Sequence, residues 1–244
     1  MNKNKNMSNP IMKVFHFLTD NMNRRTMTAV ILGTIIMGLG EALLRTSGMG
    51  NDPFTAFTLA TSARLGVGLG NFQLCFNAFL LIIELIFGRK YIGFGSIMNL
   101  AVLGYVVQGW LWVIEKIVGK SFTSSLSLPV AIVFMLIALI ILSFGLSMYQ
   151  DAELGVSPFD FLALGMKERF PKKPYFLFRI MFDGALVLIL FIFVLTGFMK
   201  FEDSNLGLGT VFCALCLGPF INLCSVFNKK WILPASAENN HSAS

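Results

Sequence analysis

The stretch that decides the fold is Glu153-Leu154-Gly155-Val156-Ser157-Pro158-Phe159-Asp160. It follows a long apolar run and opens a segment too short to cross a bilayer. Gly155 lets the backbone turn. Ser157 is a natural N-cap. Pro158 suits the first helical position, where its missing N–H would be unpaired anyway. Such a helix start points free N–H groups and a partial positive charge at whatever lies before it. Gly48-Met49-Gly50-Asn51-Asp52-Pro53-Phe54 does the same earlier in the chain, with Asp52 as the cap before Pro53. A motif used twice predicts a duplicated protein.

Other positions extend the match. Gly40, Gly50, Pro53, Phe54 and Arg64 fall on Gly145, Gly155, Pro158, Phe159 and Arg169 at one constant offset. After a one-residue slip, Phe72, Phe76 and Asn77 fall on Phe178, Phe182 and Asp183. Gly93-Phe94-Gly95-Ser96 falls on Gly207-Leu208-Gly209-Thr210, and Leu103-Gly104 on Leu217-Gly218.

Of the 244 residues, 55% are hydrophobic and 13% charged, and the mean hydropathy is +0.72. A soluble domain carries about 25% charged residues, so this composition belongs to a polytopic membrane protein. The net charge of +6 is no nucleic-acid signal. Lys and Arg sit in short loops and at the N-terminus, as the positive-inside rule expects. No cleavable signal peptide is read before the first span. Cys75, Cys213, Cys216 and Cys224 lie in apolar runs and read as packing residues.

The chain divides into an N-terminal arm (1–26), a first membrane repeat (27–118), a connector (119–129), a second repeat (130–228) and a polar tail (229–244), which reads as disordered. Ile11 to Leu18 in the arm has the pattern of a short amphipathic surface helix. Spans are predicted at Met27–Thr46, Phe72–Phe87, Gly95–Ile117, Val130–Tyr149, Phe176–Phe198 and Leu208–Phe227. The short segments are Pro53–Leu65 and Pro158–Phe170. Three spans per half is an odd number, so the halves are expected to be inverted in the membrane. The fold class is therefore an all-α polytopic membrane protein. It has six transmembrane helices as two inverted three-helix repeats, each with a short re-entrant or interfacial helix. Charge bias places both termini in the cytoplasm of a bacterial plasma membrane.

Asp183 is the most telling polar residue, about two turns into the fifth span. Arg179 stands one turn before it on the same face. Their counterparts are Asn77 and Gln73. A structural pair in which Arg179 snorkels to the interface is the alternative to a binding role. Glu41 and Arg45 form another four-apart pair, read as structural ahead of functional. Glu84 stands near Arg89 and Lys90, and snorkelling accounts for it. Asn99 can bond across helices or line a cavity. Asp52, Ser157 and Asp160 belong to the two helix starts, where capping is expected whether or not a solute binds. Together, Asp183, Arg179, Ser157, Asp160, Asn77, Asn99, Asp52 and Glu41 are the candidate substrate-binding residues. The two Gly-x-Gly-[ST] stretches open membrane helices and read as close-packing sites, not phosphate loops. His16 and His241 lie outside the spans, and no catalytic constellation, metal-ligand cluster or nucleotide motif is read. An enzyme is not expected, and no cofactor is implied.

The chain resembles the YczE/YyaS/YitT family of bacterial integral membrane proteins, most closely the YczE-like branch. Gly155 to Asp160, Arg179 with Asp183, and Gly207-Leu208-Gly209-Thr210 leading to Leu217-Gly218-Pro219-Phe220 carry the likeness. Gly93-Phe94-Gly95-Ser96 with Asn99 matches the first-half counterpart, and the likeness covers roughly residues 30–225. It implies a polytopic plasma-membrane protein without an agreed substrate. Two positions depart from the family pattern. Asn51-Asp52-Pro53-Phe54-Thr55 stands where a small residue before Pro and an Asp two after it are usual. Asp183 stands where Glu is common. The expected function is a secondary transporter or channel for a small solute or ion. The alternative is a non-transporting accessory or regulatory protein that partners an enzyme or transporter. The lipid bilayer is the expected partner, nucleic acid is not, and a homo-oligomer is left open.

Overall fold

The computed structural model describes residues 23–119 and 126–231. The expectations for the arm (1–22, with Ile11–Leu18 and His16), most of the connector (120–125) and the tail (232–244, with His241) lie outside these residues.

Six helices are long and apolar enough to cross a membrane: α1 (Arg24–Thr46), α3 (Leu69–Phe87), α4 (Phe94–Ile117), α5 (Leu128–Asp151), α7 (Tyr175–Leu195) and α8 (Leu208–Trp231). The short helices are α2 (Pro53–Leu65) and α6 (Pro158–Arg169). The protein is a multi-pass, all-α membrane bundle. Boundaries differ from expectation by a few residues, and capping explains the clearest shift. Hydropathy begins at Met27, yet α1 begins at Arg24, because Thr26 Oγ1 accepts from Asn23 N at 3.1 Å and closes the first turn. One feature has no sequence signal: α4 contains a π-helical turn, Met98–Leu103, which carries Asn99.

The centre of the bundle is the crossing of α1 and α5. Glycines allow their backbones to touch. A Cβ on Gly33 would come within 2.9 Å of Gly145 O, and one on Gly145 within 2.8 Å of Gly33 O. A Cβ on Gly40 would strike the Leu142 backbone. Around the seam pack Val30, Met37, Leu139, Leu146 and Tyr149, all buried. By contrast, α3 and α4 are mostly at the periphery. Their exposed apolar side chains, such as Phe79, Ile86, Tyr105 and Trp112, suit a lipid surface.

Both short helices start inside the protein. Along α2, Thr55, Ala56, Thr58, Ala60, Thr61 and Ser62 are buried, and Gly66 ends the helix with φ +66°. In α6, Pro158 to Phe161 are buried. The turn before each helix is held by the start of a distant span. Gly95 N donates to Leu154 O at 2.7 Å, and Ser96 Oγ to Val156 O at 2.7 Å. Likewise Gly209 N donates to Met49 O at 2.9 Å. Both turns need glycine: Gly50 has φ +119° and Gly155 φ +98°. The Gly-x-Gly-[ST] stretches thus serve close packing, as expected.

The far ends of the short helices are also tied down. Arg64 of α2 donates to Phe198 O and lies over the Phe198 ring, 5.0 Å from its centroid. Glu168 of α6 accepts from Lys90 Nζ and from Tyr91 OH. These bonds hold the Glu168 carboxyl below its usual pKa. The clip is therefore intact at neutral pH and releases only as pH falls through that lowered value. Burial, and then the bond to Glu168, push Tyr91 up to about 12.

The seam makes a direct prediction. Gly145→Val forces α1 and α5 apart and is expected to cost about 1–3 kcal/mol of stability. Gly109, in α4, has open space where a Cβ would go. Gly109→Ala should therefore gain roughly 0.5–1 kcal/mol from helix propensity. Unfolding of both variants in detergent checks the contrast.

Candidate functional site

The two short helices begin face to face. The Phe54 and Phe159 rings, matched positions in the two halves, lie 5.1 Å apart between centroids. Beside them is a cavity of about 480 Å³. Its walls come from both helix starts (Asp52, Thr55, Ser157 and Asp160) and from all six spans, with Leu142 and Leu146 of α5 and Leu217 of α8 on the apolar side. Glu41 and Arg45 reach it from α1, Gln73 and Asn77 from α3, Asn99 and Gln108 from α4, and Arg179 from α7.

Both helix starts are capped by the chain's own oxygens. Asp52 Oδ1 accepts from Thr55 N at 3.1 Å. Ser157 Oγ accepts from Asp160 N at 3.1 Å and donates to Asp160 Oδ2 at 2.6 Å. A chain of charge-assisted bonds then runs inward. Arg179 Nη1 donates to Asp160 Oδ1, and Arg179 Nε to Asp183 Oδ2 at 2.9 Å. The guanidinium also lies 5.2 Å from the Phe159 ring centroid. Asp160, Arg179 and Asp183 are all buried, Asp183 completely.

Seven of the eight sequence-selected candidates line the cavity. The eighth, Asp183, stands behind Arg179. One alternative and two expectations are corrected. Arg179 does not snorkel, because two carboxylates hold it inside. Glu41 and Arg45 do not pair: no ion pair joins them, and both face the cavity. Four-residue spacing permits a pair, but an open cavity removes the need for one. Glu84 does not snorkel either. It is 0% exposed, and neither carboxylate oxygen has a partner. Sequence reasoning missed Gln108, which carries no motif, and the buried, unpartnered Tyr149 hydroxyl.

The halves differ chemically. The second half places Asp160, Arg179 and Asp183 together. Their counterparts are Thr55, Gln73 and Asn77, so the first half has the positions without the charges. Gln73 Nε2 there donates to Thr58 Oγ1 at 3.2 Å. Among the described residues, no group of three or more His, Cys, Asp or Glu side chains is arranged to hold a metal ion.

Comparison with known proteins places this arrangement in a family. The family model described as "Family of unknown function (DUF6198)" matches residues 24–226. The chain belongs to this family. It is 26% identical over 187 residues to the uncharacterized protein YyaS of Bacillus subtilis, covering 77% of this chain and 85% of that one. An uncharacterized protein of Haemophilus influenzae is 26% identical over 148 residues, 60% of this chain and 63% of the relative. The uncharacterized membrane protein YczE of Bacillus subtilis is 23% identical over 143 residues, 58% of this chain and 63% of the relative. The likeness therefore holds at the level of the wider YczE/YyaS/YitT group and does not single out its YczE-like branch. No solved structure matches the chain at a significant level.

The shared arginine predicts unequal effects of substitution. Arg179→Ala leaves Asp160 and Asp183 buried without a counter-charge, and is expected to cost about 3–5 kcal/mol. Asp160→Asn or Asp183→Asn leaves Arg179 one carboxylate and should cost less. Equal losses for all three, measured by unfolding in detergent, would show that the arginine is not shared.

Proposed function

We propose that the protein is a secondary transporter or channel for a small polar solute in the bacterial plasma membrane. The observation that carries this reading is the cavity between two helix starts, walled by both halves of the chain. In transporters built from inverted repeats, solute sites form near the bilayer midplane, where interrupted helices from the two repeats meet. The matched contacts support a duplicated, inverted architecture: Gly95 with Leu154 mirrors Gly209 with Met49, and Phe54 meets Phe159. Burial of α2 and α6 favours re-entrant helices over interfacial ones. Both helix starts already have carboxylate or hydroxyl caps, so a simple anion gains little there. Glu41 and Arg45, one turn apart and unpaired, suit a solute that carries charge of both signs.

With both termini inside, Arg89, Lys90, Lys172 and Lys173 face the cytoplasm and Lys200 faces out. In a background lacking the native cysteines, a cysteine at position 200 should label from outside and one at 172 only from inside. Label entering at 172 from outside would overturn the inverted arrangement.

The functional test starts with thermal-shift screening of the purified protein against metabolites and ions. The stabilising compounds are then assayed for flux in liposomes. Asp183→Asn is expected to yield folded protein with lost or uncoupled flux. Unchanged flux per folded molecule would remove Asp183 from the mechanism. Absence of flux for every stabilising compound would favour an accessory or regulatory membrane protein.

A further inference from the structure

Glu84 lies on α3, which packs against α6, one turn before that helix ends at Phe87. It is 0% exposed, and both carboxylate oxygens lack a hydrogen-bond partner. The Tyr149 hydroxyl of α5, also 0% exposed, lacks one too. Glu84 lies within electrostatic range of Tyr149 and of Asp160. The two cations nearest in sequence are engaged elsewhere. Arg89 Nε donates to Leu85 O at 2.9 Å, and Lys90 Nζ pairs with Glu168. Arg179 is held by Asp160 and Asp183. The charged neighbour that acts on Glu84 is thus Asp160, which has the same sign. Packing encloses the place: the Tyr149 ring lies against Gly95, and Phe161 covers Gly88.

A bare carboxylate cannot be buried without a counter-charge, because desolvation far exceeds what unpaired burial returns. We infer that Glu84 and Tyr149 form a binding site for one monovalent cation, a proton or an alkali-metal ion, separate from the central cavity. The carboxyl group takes the cation and the tyrosine hydroxyl supplies a further oxygen. Glu84 is within electrostatic range of Asp160, which lines the cavity, and stands one turn from the end of α3. The inference itself stands on the Glu84 surroundings and holds whether or not the cavity carries a solute.

The test uses the full chain in detergent and reads melting temperature, so it needs no flux. Wild type, Glu84→Gln and Tyr149→Phe are compared at pH 5.5 and 8.5, in sodium, potassium or choline chloride at equal ionic strength. A cation site predicts that wild type melts at least ~3 °C higher when its ion is supplied, on the scale of a kcal/mol or more for a chain this size. A response to acid in every salt identifies a proton, and a response to sodium or potassium at pH 8.5 identifies an alkali ion. Glu84→Gln should lose that increment, and Tyr149→Phe should reduce it. If Glu84→Gln does not fold, Glu84→Met, an apolar side chain of similar volume, takes its place. The inference is overturned if wild type shows neither response, or if the Glu84 variant shows the same response as wild type. The first outcome leaves solute transport through the cavity untouched, and lack of flux leaves this site untouched.

Discussion

The bundle depends on how the backbone is satisfied where two turns run into its interior. Hydrocarbon offers no water to an unpaired N–H or C=O, so a non-helical turn inside a membrane protein must find partners in the protein itself. Here the partners are the first turns of α4 and α8. Gly95 N reaches Leu154 O, and Gly209 N reaches Met49 O. Only glycine permits the approach, since a Cβ on Gly209 would lie 3.1 Å from the Met49 carbonyl carbon. With the turns secured, α2 and α6 can start inside the protein, and their starts can enclose a cavity. Each turn is held by a span from the other half of the chain, so neither half completes its own short helix alone.

Charge is distributed on that frame unevenly. In the second half, Arg179 joins two carboxylates from different helices, Asp160 on α6 and Asp183 on α7. This ties the short helix to its neighbouring span with the cavity on one side. The first half keeps uncharged polar groups at the same places. The Asp–Arg–Asp cluster therefore belongs to the second half, while the first half brings Asp52 from its helix start and Glu41 and Arg45, joined by no ion pair, from α1. The two sides of the cavity thus differ, with a buried Asp–Arg–Asp link on one of them only.

Much of this was legible in the residues. Hydropathy marked the six spans because lipid-facing and core positions are both apolar. Asp52-Pro53 and Gly66 placed α2 from Pro53 to Leu65, because a cap, an N1 proline and a left-handed C-cap leave little freedom at either end. The link from Arg179 to Asp183 followed from helical spacing. The further partner, Asp160, belongs to the Ser157-Pro158 helix start, and spacing alone does not name it as the acceptor. Proximity in sequence misled at Glu84. Arg89 is close by, yet its side chain turns back to the Leu85 carbonyl at the helix end. Spacing misled at Glu41 and Arg45, because a four-residue interval permits an ion pair without requiring one, and both side chains line the cavity. The π-turn left no trace, since it changes hydrogen-bond register without requiring any residue type.

The α1–α5 seam has a mechanical consequence. Where two helices touch through glycines, backbone lies on backbone at the crossing itself, with Val30, Met37, Leu139, Leu146 and Tyr149 packed around it. Such a crossing leaves no room for the helices to come closer, so movement of one against the other is confined to turning about the point of contact. Gly33, Gly40 and Gly145 place that point in the middle of both helices, with the cavity to one side of it. The tightest joint in the bundle is thus shaped as a fulcrum. A small rotation there becomes a larger displacement at the two ends of the molecule, where a solute path would have to open and close.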